Sequence, residues 1–195
     1  MKNEYILYIV YIFESFILNS FPLFGAPFVL LSIPVLSIIG INIYNITLIS
    51  IILGIGASTG KIVMYIIGIL LSKPLKNNKN LLFIKRISNS RNFYITFFFL
   101  TILPFLPLDD LLFLSFGIEK ISILKYYLIS ILGKTLKSFL ELYAEIFVLN
   151  KISYISKIPL LKLSIISSIA FILLSIIFFK LDWEKYFNKW ISKEK

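Results

Sequence analysis

The residues able to do chemistry in this chain are few, and they are almost all charged groups set in apolar sequence. Asp109 and Asp110 stand side by side just after Pro104 and Pro107. Lys134, Lys137, Glu141 and Glu145 recur at spacings of three and four, which at 100° per residue puts them on one narrow arc of a helix, with Ser130 and Ser138 alongside. Lys61 shares a helical face with Gly54, Ser58, Tyr65 and Gly68, and Glu14 interrupts the first apolar run. Carboxylates and ammonium groups at membrane depth can pair with one another, carry a proton or ion, or hold a phosphate. The chain has no Cys and no His, which removes thiolate nucleophiles, disulfides, the imidazole base and the usual zinc ligands. Ser/His/Asp and Cys/His catalysis are excluded, no enzyme is expected, and neither cofactor nor metal is required.

The elements that position these groups must be membrane helices. Of the 195 residues, 58% are hydrophobic and 15% charged, and the mean hydropathy is +0.92, far more apolar than a soluble domain. No charged residue occurs between Glu14 and Lys61, a gap well beyond the roughly 20 apolar residues one crossing needs. The net charge of +10 comes from basic residues in short loops between apolar runs, which points to a membrane surface and not to nucleic acid. Lys2 followed by Tyr5–Phe13 has the outline of a cleavable signal, but Glu14 breaks the run and no Ala-x-Ala site follows, so no cleavage is expected.

Apolar segments fall at about 5–20, 21–40, 45–71, 93–118, 121–149 and 160–180. The second carries Pro22, Gly25, Pro27, Pro34 and Gly40, and the fourth carries Pro104 and Pro107 ahead of the two acids. Proline removes a backbone donor and disrupts the preceding turn, so both predict broken helices or re-entrant hairpins, while the other four predict crossings. This arrangement gathers residues 1–4, 72–92, 119–125 and 181–195, with most of the Lys and Arg, on one side. The positive-inside rule then predicts a cell-membrane protein with both termini cytoplasmic. The basic tail 181–195, with Trp183, Tyr186, Phe187 and Trp190 among its lysines, reads as an interfacial helix.

A shift of 77 residues superposes Pro27-Phe28 on Pro104-Phe105, Gly40-Ile41 on Gly117-Ile118, and Gly56 on Gly133. Two repeats are expected, at about 14–71 and 91–149, within one membrane domain over 1–180 whose last helix is 160–180. Their hairpins would enter from opposite faces, the plan of many secondary transporters. Gly56 and Gly60 form a small-xxx-small pair, and Gly133 precedes Lys134 as Gly60 precedes Lys61. In the helix at 121–149 each charge costs roughly 2.5–3.5 kcal/mol at the centre of a bilayer, so this face must look into the bundle or a wet cavity. A helix-surface ion pair is the plainer reading of Lys137 and Glu141, packing is the plainer reading of Gly56 and Gly60, and a simple kink is that of Pro104 and Pro107.

Glu14 ahead of a proline-containing hairpin, LGIGASTGKIVMYIIG (53–68), and PFLPLDDLLFLSFG (104–117) leading to ISILGK (129–134) together resemble the DedA family, also called VTT-domain or SNARE-associated membrane proteins. The resemblance spans residues 10–150 and is closest to short archaeal-type members. It implies two opposed re-entrant hairpins and a role in moving lipids, either polyprenyl-phosphate carriers with use of the proton-motive force or phospholipids by scrambling. Bacterial members place arginines around the second hairpin's proline, whereas here the nearby residues are Thr101 and Pro107, followed by two acids, and the acid common in the first hairpin is missing, with Gly25-Ala26-Pro27 in that region.

The expected function is therefore a lipid translocase. Lys61, Lys134 and Lys137 would draw a phosphate headgroup, and Glu14, Asp109, Asp110, Glu141 and Glu145 would balance those cations and carry protons or ions. Partners reduce to membrane lipids, the anionic cytoplasmic leaflet and a second copy of the chain. A proton- or cation-coupled carrier of small solutes and a non-transporting assembly factor are the alternatives.

Overall fold

The computed structural model describes residues 2–21, 29, 32–75, 79–103, 108–163, 165–167 and 169–170. Among them the chain is all-α: α1 (Lys2–Ser20), α2 (Ile33–Ile39), α3 (Ile43–Leu70), α4 (Ser72–Leu75), α5 (Lys79–Ile87), α6 (Arg91–Ile102), α7 (Leu108–Ile118) and α8 (Leu124–Ser156). Pro22, Pro27, Pro104, Pro107 and the tail 181–195 lie outside the described residues, as does most of the segment 160–180.

Local chemistry sets the helix ends. Gly40, at φ +100°, turns the chain out of α2 in a conformation that favours glycine. Asn42 then caps α3 by accepting from the Asn45 amide at 2.8 Å, while Asn45 Nδ2 donates to the carbonyls of Ile39 and Gly40. Ser90 caps α6 through the Phe93 amide. The end of α7 closes with Ile121 N donating to Phe116 O and Lys120 N to Gly117 O, and Lys120 takes the left-handed conformation at φ 54°. Lys157, at φ 59°, also takes the left-handed conformation where α8 ends.

Pairwise contacts fix the directions of the helices. Ser15 Oγ donates to Leu53 O, Gly56 abuts Ile12 and Ser15, and Gly60 abuts Phe16, Asn19 and Ser20. Both sequence numbers rise together, so α1 runs parallel to α3. By the same criterion α7 is parallel to α3, because Lys61 meets Asp110 and Gly68 meets Leu114 and Gly117. The numbers run oppositely for α8, where Ser58 meets Ser130, Thr59 meets Tyr127 and Tyr65 meets Ile121. Phe93 packs on Phe116 and Phe97 on Phe113, so α6 and α7 form an antiparallel pair, and Tyr126 against Phe93 together with Gly133 against Thr101 sets α6 parallel to α8.

The parallel α1 and α3 correct one expectation. If segment 5–20 crossed and 21–40 stayed on the far side, α1 would run opposite to α3. Instead α1 ends beside Gly60, about 25 Å along α3 from its start at Ile43 at 1.5 Å per helical residue. The start of α1 therefore lies at the opposite end of α3 from the basic stretch 72–92, and the two are not on one side. The segment 93–118 is two short helices of 12 and 11 residues, about 18 and 16 Å long, too short for either to cross a bilayer alone.

By length and composition, one helix among the described residues, α3, is apolar and long enough to cross a membrane. At 33 residues α8 is longer, but its lysines and glutamates lower its hydropathy. Two cores flank the bundle's middle. Near the start of α3, Tyr11, Val29, Ile33, Leu36, Ile49, Leu53, Leu142 and Ile146 form an aliphatic cluster. Near its end, Met64, Phe93, Phe97, Phe113, Phe116, Ile121 and Tyr126 form an aromatic one.

Candidate functional site

The buried charges lie between those two cores. In α3 Lys61 falls between Ala57 of the aliphatic cluster and Met64 of the aromatic one; in α8 Lys134 and Lys137 fall between Tyr126 and Leu142. Helical Cα–Cβ bonds tilt toward the N-terminus, so in antiparallel α3 and α8 the long side chains of Lys61 and Lys134 lean toward the same level. The first turn of α7 arrives at that level carrying Asp109 and Asp110. Backbone amides at a helix N-terminus favour negative charge, so ionised acids suit this position.

Each acid takes a different lysine. Lys61 Nζ pairs with Asp110 Oδ1, and Lys134 Nζ lies 2.5 Å from Asp109 Oδ2. The four side chains are 2–6% exposed, so the pairs are screened from bulk water. Lys137 sits 3.8 Å from Glu141 one turn along α8 and reaches toward the Leu103 carbonyl at 3.5 Å, where α6 ends. Three cations and three acids are thus gathered with a net charge of zero.

Glycines and small polar residues permit the approach. A Cβ on Gly133 would strike Thr101 of α6, and one on Gly54 would strike Thr135 of α8. Ser58 and Ser130 share a hydrogen bond of 3.1 Å across α3 and α8. Gly56 and Gly60 bring α1 onto α3, and Gly68 and Gly117 bring α7 onto it, backbone against backbone. Gly40 belongs to the α2–α3 corner.

Not every charge suggested by the sequence joins the cluster. Glu14, on α1, and Glu145, two turns beyond Lys137 on α8, form no ion pair among the described residues, and each has a buried oxygen without a hydrogen-bond partner there. The Glu141 Oε2 and Ser138 Oγ atoms are also buried and unpartnered among those residues, extending the polar face of α8 away from the aspartates. Sequence reasoning missed a fourth pair, Lys85 Nζ to Glu119 Oε2 at 3.1 Å, and the Tyr126 hydroxyl donating to the Ser88 carbonyl. An isolated acid directly after α7, downstream of a basic stretch, was the available signal for the first of these. The chain matches no family model, no curated protein and no solved structure.

Proposed function

We propose that this protein is a multi-pass membrane protein that moves phosphate-headgroup lipids across the bilayer, with the buried lysine–carboxylate cluster as the headgroup's path. The observation that carries the reading is the inverted arrangement of α8. Between Tyr126 at one end and Leu142, Ile146 and Leu149 at the other, the middle of its buried face holds Ser130, Gly133, Lys134, Lys137 and Ser138, while Leu128, Leu132, Leu136, Leu140 and Phe147 are exposed. A soluble helix has the opposite arrangement, and a contiguous exposed apolar surface of this kind calls for lipid. The same pattern holds on α1, where Ser15 and Asn19 are buried while Ile6, Ile9, Val10, Phe13 and Ile17 are exposed.

The helix directions support an inverted repeat. In each half an initial helix, α1 or α6, runs parallel to the long helix that follows, α3 or α8, and the two long helices are antiparallel. On this reading the α1 and α6–α7 regions are re-entrant from opposite faces, with α3 and α8 crossing. Ser20, at the end of α1, and the first turn of α7 then come close to the level of Lys61. The end carrying Lys73, Lys85, Arg86, Arg91, Lys120 and Lys125 is cytoplasmic by charge, and the start of α1 is on the other face. The resemblance to DedA proteins over residues 10–150 agrees with this plan.

The chemistry is exchange of partners. A phosphate entering the cluster replaces Asp109 on Lys134 or Asp110 on Lys61, and broken-helix amides add donors. Because the resting cluster sums to zero, the displaced carboxylate must take a proton, an ion or the headgroup's own ammonium. No bond is made or broken. The test is a fluorescent-lipid assay on the purified chain in liposomes, read by reduction of outer-leaflet fluorophore. The expected result is loss of fluorescence beyond the outer-leaflet fraction; loss limited to that fraction for every headgroup tried contradicts the proposal.

A further inference from the structure

A second charged surface lies apart from the buried cluster, where α5 rests against the end of the bundle. Its inner residues Ile84 and Ile87 pack on the aromatic core. Leu82 and Phe83 are 45% and 57% exposed, and Arg86 is exposed beside them. At 100° per residue Leu82, Phe83 and Arg86 fall within about 100° of arc, so apolar and cationic groups share one outward face. Lys73, Lys85, Arg91, Lys120 and Lys125 are exposed around it, while Glu119, the acid of this rim among the described residues, is buried. Such a face, basic and apolar together at the end of a bundle, fits the headgroup layer of an anionic bilayer.

This helix is also fastened to the elements that frame the cluster. Lys85 is 57% exposed while its partner Glu119, one residue past the end of α7, is 5% exposed. Tyr126, in the first turn of α8, donates to the carbonyl of Ser88 just after α5. Lys85 is thus the residue that can face solvent-side phosphates and the base of α7 at once.

We propose that the outward face of α5 docks on anionic lipid headgroups, and that Lys85 divides its charge between those headgroups and Glu119, so that the lipid charge of one leaflet bears on the α6–α7 pair. This rests on the membrane reading but not on transport. The test uses the full chain, which has no cysteine, with Phe83→Cys carrying an environment-sensitive fluorophore. Leu132→Cys on the exposed face of α8 serves as the membrane control. Both are reconstituted in phosphatidylcholine vesicles with and without phosphatidylglycerol, and with nitroxide-labelled lipids as quenchers.

The label at 83 should brighten and become quenchable when phosphatidylglycerol is added, and high salt should reverse the change. Lys85→Gln should raise the amount of phosphatidylglycerol needed about fivefold, the weight of one basic residue at such a surface, while Glu119→Gln should lower it. If the label at 132 is lipid-quenched but the label at 83 responds equally in both vesicles, the docking surface is refuted and the membrane reading stands. A response at 83 that tracks protein density and not phosphatidylglycerol assigns the face to a second copy and overturns the proposal. If 132 is not quenched, the membrane reading falls and takes this inference with it.

Discussion

The two flanks of α3 are closed by different means. Against α1 the seam is uncharged: Gly56 and Gly60 let backbones touch, Ser15 donates to Leu53 O, and Glu14 takes no ion-pair partner among the described residues. Against α7 and α8 glycines again thin the interface, at Gly68, Gly117 and Gly54, but Lys61–Asp110 and Lys134–Asp109 are set into it. A glycine seam suffices to hold helices together, as the first flank does. The charges of the second flank are an added cost for which packing alone gives no reason. They become intelligible if the pairs are made to be exchanged.

Substitutions on the two flanks should differ in cost. The largest effect is expected from Lys134→Met, which leaves Asp109 buried and unpaired at a cost on the order of 3–5 kcal/mol. Asp109→Asn in the same chain should restore most of the lost thermal stability in detergent; a double variant as unstable as the single one would mean that the pair does not act as a pair. Next, Gly60→Leu drives a side chain into the backbone of α1 near Phe16 and Asn19, and should cost about 3 kcal/mol or fail to assemble. Parent-like melting there would mean that α1 is not seated on α3 as described. Smallest is Ser15→Ala, which removes the hydrogen bond to Leu53 O and should lower stability by about 1 kcal/mol. A loss as large as that of Lys134→Met would show that the uncharged seam, too, depends on polar contacts.

What was readable in advance followed from periodicity, and what was not readable concerned direction. The arc of Lys134, Lys137 and Glu141 and the acids after Pro107 are visible as spacing and composition, and the structure gathers them with Lys61 between α3, α7 and α8. Which acid answers which lysine is not visible, because pairing depends on side chains leaning toward each other from antiparallel helices. Nor could hydropathy give the sense of α1. An apolar run of crossing length reads the same whether it traverses the bilayer or goes in and returns, and only contacts such as Gly56 with Ile12 and Gly60 with Ser20 settle that α1 is parallel to α3. The Lys85–Glu119 pair was hidden for a related reason, since Glu119 is held by the turn at Lys120, whose left-handed backbone the sequence does not announce.

On the proposed function the buried pairs serve headgroup passage and not register alone. Lys134→Met combined with Asp109→Asn is the test, because the double variant removes one exchangeable pair without leaving either partner buried and unpaired. Lipid flux should be measured in liposomes beside the parent, with melting recorded on the same preparations. Headgroup passage through these pairs predicts parent-like melting with flux reduced at least tenfold, equivalent to about 1.4 kcal/mol on the barrier. Parent-like flux together with parent-like melting would contradict it and leave the pair as a fastening between α7 and α8.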